Sequence, residues 1–118
     1  MPIVNISSLP PPDSKAIPRM IADVQRAGAQ ALNCELSNIW VMFQPVQPGQ
    51  YLKDGDPTPP PVVIVKAQSG RTHQQKEAFV GAIAVVIAEG LSVPSKKVWI
   101  HYQEMAPQDV WFEGRWAG

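Results

Sequence analysis

The two halves of this 118-residue chain match each other without a gap when one is slid along the other by 59 positions. Pro2 then meets Pro61, Val4 meets Val63 and Ile6 meets Val65. Met20-Ile21 meets Phe79-Val80, Val24 meets Ile83, and Ala29 and Leu32 meet Ala88 and Leu91. Further on, Ile39-Trp40-Val41 meets Val98-Trp99-Ile100, and Phe43-Gln44 meets Tyr102-Gln103. Identities are few, but chemical class agrees along the whole register. Such a period marks a duplicated unit, here of about 45 residues, and it settles the architecture before any local feature does.

Each unit reads strand, helix, strand. In the second, Val62 to Ala67 is a near-continuous apolar run, the pattern of a strand buried on both faces. Thr72-His73-Gln74-Gln75 has the capping-box form. Phe79, Val80, Ile83, Val86, Ile87 and Leu91 then fall at helical spacing, and Pro94 is expected to end that helix. Val98 to Gln103, rich in β-branched and aromatic residues, is the second strand. The first unit is looser. Pro2 to Ile6 opens it as a strand, Asp13 is a candidate N-cap, and Pro18 sits early in the helix, where a missing N–H is tolerated. Ile17, Met20, Ile21, Val24 and Leu32 form the apolar stripe, and Ile39 to Phe43 the partner strand. Residues 46–60, dense in proline and glycine, read as a linker with a turn at Asp54-Gly55.

Two such units with right-handed crossovers make an α+β two-layer sandwich: a four-stranded mixed sheet with two helices on one face. The expected organisation is a single domain over residues 1–118, with a first unit at 1–45, a linker at 46–60, and a second unit plus tail at 61–118. The strands are too apolar to leave the other sheet face in water, so neighbouring subunits are expected to cover it.

Ten basic and ten acidic residues cancel, and no charge run or aromatic-basic interleaving points to nucleic acid. No segment has the form of a signal peptide, and no apolar stretch reaches the roughly 18 residues of a membrane span. A lone cysteine, Cys34, excludes an internal disulfide framework, and two distant histidines give no metal-ligand spacing. The expectation is a cytoplasmic protein without metal or cofactor.

Pro2 carries the sharpest chemistry. Methionine is normally trimmed before a small residue, so the mature chain is expected to begin with proline, whose nitrogen is then a secondary amine. Neutral, that amine is a base or a nucleophile; behind another residue it is an inert amide. Pro61 is the duplicate of Pro2 but is always an amide. Arg71 likewise has Pro12 as its counterpart. Each half therefore lacks one part, and one composite site per chain survives. An α-amino group ordinarily has a pKa of about 7.7–8.0, and burial beside a cation lowers it. Arg71 follows the strand at 61–67 and precedes a helix N-terminus, where free N–H groups also favour anions. If the two units run antiparallel, that strand end lies beside the start of the first strand and brings Arg71 towards Pro2.

The duplicated βαβ pattern, the Met1-Pro2 start, the segment Ser69-Gly70-Arg71-Thr72-His73-Gln74-Gln75-Lys76 and the run Val98 to Met105 ending Glu104-Met105 resemble the tautomerase superfamily. With Trp99, Glu104-Met105 and Gly114-Arg115, the fused length looks most like the cis-3-chloroacrylic acid dehalogenase branch. The Arg71-Thr72 segment and Trp111-Phe112 also look like malonate semialdehyde decarboxylase. The resemblance implies a homotrimer, a small carboxylate substrate, no cofactor, the N-terminal proline as the catalytic group and Arg71 as its partner. It leaves three activities open: tautomerisation of an enol or 2-keto acid, hydration or hydrolytic dehalogenation (or decarboxylation) of a small unsaturated or 3-oxo acid, and a non-catalytic binding or signalling role.

Further candidates are weaker. Trp111 and Phe112 would wall the pocket, or pack at a subunit interface. Glu113 would orient or activate water as the dehalogenase branch's tail glutamate does, although it falls one residue nearer to Gly114-Arg115 than that pattern requires; a salt bridge to Arg115 is the alternative. His101, where the dehalogenase branch has a tyrosine, would donate a proton or contact substrate, with core or interface packing as the alternative. Trp40 and Trp99 read as core or interface residues, His73 as exposed, and Cys34 as buried filler. Gln68 stands where the dehalogenase branch has a second arginine, Gln25 near its helical histidine, and Asn38 near the decarboxylase branch's aspartate. These replacements argue against efficient dehalogenation or decarboxylation of those branches' substrates.

Overall fold

The computed structural model describes residues 1–51, 53 and 55–118. The turn expected at Asp54-Gly55 includes Asp54, which lies outside the described residues. The first unit runs β1 (Ile3–Ser8), α1 (Ala16–Leu32) and β2 (Trp40–Pro45), and the second runs β3 (Val62–Gln68), α2 (His73–Leu91) and β4 (Trp99–Met105). A short tail follows, with β5 (Trp111–Phe112) and β6 (Arg115–Trp116).

The sheet order is β2-β1-β3-β4. Within each unit the strands are parallel: Ile3 pairs with Trp40 and Val62 with Trp99, positions that the 59-residue shift makes equivalent. Between units β1 and β3 run antiparallel, with Val4 opposite Val65 and Ile6 opposite Val63. The mixed sheet and its two helices match the sandwich expected from the repeat.

Side-chain alternation decides what each face does. Val4, Ile6, Val63, Val65 and Ala67 point into the helices and are fully buried. Met20 and Val24 of α1 and Phe79, Ile83, Ile87 and Leu91 of α2 close over them in one core cluster. Two glycines let the helices approach. A Cβ at Gly28 would lie 2.8 Å from the Phe79 ring, and one at Gly90 would lie 2.5 Å from Met20. Met20 and Phe79 are duplicates of each other, so each unit's large core residue seats on a glycine of the opposite helix.

The helix boundaries differ from the sequence reading in two places. Helix α1 begins at Ala16, with Lys15 in the cap position. Asp13 sits one turn earlier, its carboxylate accepting from the Lys15 N–H at 3.0 Å. Helix α2 keeps its capping box: Thr72 accepts from the Gln75 N–H, and the Gln75 side chain accepts from the Thr72 N–H. Its end is set by Ser92 in the left-handed conformation (φ 58°), two residues before Pro94. Asn33 (φ 52°) ends α1 in the same way.

The open sheet face is more mixed than the apolar run suggested. Strand β3 alternates, its odd-numbered residues buried while Lys66 is exposed. Trp40, Met42 and Trp99 are exposed on this face, interleaved with Asn5, Ser7, His101 and Gln103. Among the described residues no helix is long and apolar enough to cross a membrane.

Candidate active site

The antiparallel β1–β3 pair puts the start of the chain next to the end of β3. Ile3 lies opposite Lys66, so Met1 and Pro2 lie beside the residues leading to Arg71. Pro2 is fully buried, and its carbonyl accepts from the Trp40 N–H at 3.0 Å. Pro61 repeats this at the opposite end: it is fully buried and accepts from the Trp99 N–H at 3.0 Å. Gly70, at φ 120°, turns the chain from β3 into the α2 cap, a conformation that residues with a Cβ rarely adopt. Half-buried Arg71 is thereby held at the mouth of α2.

With Met1 in place the free amine belongs to Met1. Burial first, and then the neighbouring Arg71 guanidinium, hold that amine below its ordinary value of 8.0. Cys34, just past the end of α1, acts on it in the opposite direction.

A cleft of about 630 Å³ opens at this end, on the sheet face away from the helices. Met1, Ile3 and Trp40 form one side, and Gln68 and Met105 the next. The tail forms the rest, through Val110, Trp111, Phe112, Glu113, Arg115 and Trp116. Its architecture is a two-residue hairpin: Trp111 pairs with Trp116 and Phe112 with Arg115. Glu113 and Gly114 make the turn, both with positive φ (55° and 78°), the combination that two-residue hairpins favour. Glycine adopts it freely, whereas glutamate holds it at a cost. Two aromatic pairs stiffen the wall. Trp111 and Trp116 meet edge-on at 5.2 Å, and Phe112 meets Trp40 at 5.3 Å.

The structure treats the candidate residues unequally. Pro2 lies just behind Met1, and Arg71 acts on the amine without bounding the cleft. Trp111, Phe112 and Glu113 all bound it. His101 is not brought there: it stands exposed on the open face of β4, its ring 6.1 Å from that of Trp99. Trp40, read as a core or interface residue, is a cleft residue in this chain; the signal was its position at the start of β2, level with Ile3. Gln68 also reaches the cleft, at the end of β3 opposite Met105. Gln25 has a structural task, donating to the Leu36 carbonyl at 2.8 Å and so tying α1 to the segment before β2. His73 is exposed beside Glu77. Among the described residues no group of three or more His, Cys, Asp or Glu is placed to hold a metal ion.

The fold and the layout of this end define a class: a fused pair of βαβ units with a partly buried amine beside an arginine. Residues 61–117, the second unit and its tail, match the family described as "Tautomerase enzyme". No curated protein matches the chain by sequence. Among solved structures it is similar to the F6 fused 4-OT, described as a wild-type asymmetric trimer, with 19% identity, a TM-score of 0.89, and coverage of 98% of this chain and 95% of that one. It is similar to Pt0534 inactivated by 2-oxo-3-pentynoate at 22% identity and a TM-score of 0.89, covering 98% and 94% of the two chains. It is also similar to N1, a member of the cis-3-chloroacrylic acid dehalogenase family, at 19% identity and a TM-score of 0.83, covering 98% and 83%. At these identities the likeness establishes the fold.

Proposed function

We propose that the chain is a cofactor-free, tautomerase-type enzyme acting on an enol or 2-keto carboxylate, with Pro2 as general base once Met1 is removed. The observation that carries this reading is the amine held below its ordinary value by burial and by Arg71. The Pro2 nitrogen lies one residue deeper, at a fully buried position, so loss of Met1 moves the amine further into the same surroundings. Neutral near pH 7, it takes a proton from the carbon next to a carbonyl. The C–H electron pair becomes the enolate double bond, and negative charge develops on oxygen. The resulting ammonium then returns the proton to another atom of the same molecule.

Arg71 serves twice. Its charge keeps the amine unprotonated, and it holds the substrate carboxylate or the developing enolate. The tail hairpin, through Trp111 and Phe112, shields that interaction from water and so strengthens it. His101 would take part only across an interface. A homotrimer is the assembly we favour, since the fused 4-OT structures include trimers and the open face carries Met42 and Trp99 away from the cleft.

A second reading is water addition to an unsaturated acid, or its hydrolytic dehalogenation. The placement of the Glu113 carboxylate on the cleft wall favours it. Ketonisation of phenylenolpyruvate, followed in the wild type and in Pro2→Ala with N-terminal processing checked by intact mass, tests the first reading. Loss of most activity in the variant supports it. Equal, low rates in both would leave a binding role for the fold. Chloride release from 3-haloacrylates that depends on Glu113 would favour the second reading.

A further inference from the structure

We infer that this cleft selects acids whose 2-keto or enol head carries a flat aromatic substituent over aliphatic acids with the same head. The inference rests on the tautomerase reading for the identity of the head, and on separate observations for the tail of the substrate. The first is size. A cleft of about 630 Å³ is of the order that holds a drug-sized ligand, far more than a three- or four-carbon acid fills.

The second is the wall. Four aromatic rings (Trp40, Trp111, Phe112 and Trp116) bound one cleft, and they remain 37%, 59%, 41% and 57% exposed. Singly exposed apolar residues need no explanation, but four rings lining one concavity, in two edge-on pairs, do. They are already ordered by one another, through the edge contacts of Trp111 with Trp116 and of Phe112 with Trp40. Such prearranged rings bind a planar partner with little further loss of side-chain freedom.

The third is polarity. The chain-start amine lies at the inner end with the Gln68 amide on the nearby lining, and Arg71 acts on that amine from outside the lining. The aromatic wall begins at Trp40, whose N–H is bonded to Pro2, and extends outward along the hairpin. An anionic head at the amine therefore leaves the remainder of the molecule against indole and phenyl faces. Arg115, on the hairpin beside Trp116, adds a guanidinium able to stack on an aryl ring.

Two measurements on the wild-type chain with its processed N-terminus test this. One is kcat/KM for ketonisation of phenylenolpyruvate against that for 2-hydroxy-2,4-pentadienoate. The other is binding of unreactive 2-naphthylacetate against hexanoate, by titration calorimetry. We expect the aryl member of each pair to be favoured at least about tenfold, the scale of one good aromatic contact plus its apolar area. Trp111→Leu and Trp116→Leu should each lower aryl binding more than aliphatic binding. Equal preference, or preference for the aliphatic member, in the wild type overturns the inference whatever the variants do. Variants that leave aryl binding intact but change the oligomer also overturn it, since the rings would then belong to a contact between copies. Absence of turnover for both acids with aryl-selective binding retained would remove the tautomerase reading and leave the inference standing.

Discussion

The two ends of the sheet are built from the same unit and have diverged in one respect after another. Each begins with a fully buried proline whose carbonyl accepts from the tryptophan N–H that opens the next strand. At one end that proline stands one residue from a free amine, beside Arg71, under an aromatic hairpin. At the other, Pro61 is in mid-chain and Pro12 occupies the place of the arginine. There the linker closes in instead, with the Tyr51 hydroxyl donating to the Pro60 carbonyl at 2.8 Å. Duplication supplied a scaffold with two equivalent ends; one now carries the amine, Arg71 and the cleft, and the other is closed over by the linker.

The largest effect should come from blocking the amine. Keeping Met1 in place, or appending any residue before Pro2, should lower kcat/KM by about 10²–10⁴, the usual contribution of a general base. Pro61→Ala, at the duplicate position, should leave kcat/KM unchanged in a steady-state assay of the folded protein. Comparable losses from the two changes would erase the functional difference between the ends.

Next in size is Arg71→Gln. On the proposed reading Arg71 stabilises the developing enolate, and its removal should cost about 10²–10³ in kcat. The same change should move the acid limb of the pH–rate profile upward. The cation at present favours the neutral amine, so without it the amine holds its proton to higher pH, and activity is lost sooner as pH falls. The shift should be partial, because burial remains and is the larger cause. An acid limb that stays in place would detach Arg71 from the amine.

The smallest effects distinguish the helix starts. Thr72→Ala breaks the capping box of α2 and should cost about 1 kcal/mol in denaturant unfolding. Asp13→Ala at the corresponding place should cost less, because Asp13 caps a turn ahead of α1 and not the helix itself.

The scaffold was legible because two periodicities occur twice in register. The continuous apolar run at 62–67 marked β3, although its faces alternate in the fold, and the helical spacing of Phe79, Ile83, Ile87 and Leu91 marked α2, so each weak signal in the first unit was supported by its duplicate. Where the halves diverge that support vanished. Pro10-Pro11-Pro12, which has no counterpart before α2, delays α1 past Asp13. The cleft was legible only in part. Trp111 and Phe112 were marked as wall residues by composition, but the Glu113-Gly114 hairpin that aims them went unread. The signal was there, a glycine at the second turn position between alternating aromatics. Trp40 was missed for a different reason: alternation says which face a strand residue takes, and only the folded tail shows that this face becomes a cleft at one end. His101 was named from its strand face and from the resemblance to the dehalogenase branch, and that face is shared by the cleft and by the wider open surface.

The central claim is most directly tested by titrating the Pro2 nitrogen itself, with ¹⁵N-labelled proline, in the processed wild type and in Arg71→Gln. The account predicts a pKa below the ordinary α-amino range of about 7.7–8.0 in the wild type, and a rise on loss of the guanidinium. An amine that titrates within or above that range, unmoved by the substitution, would contradict it.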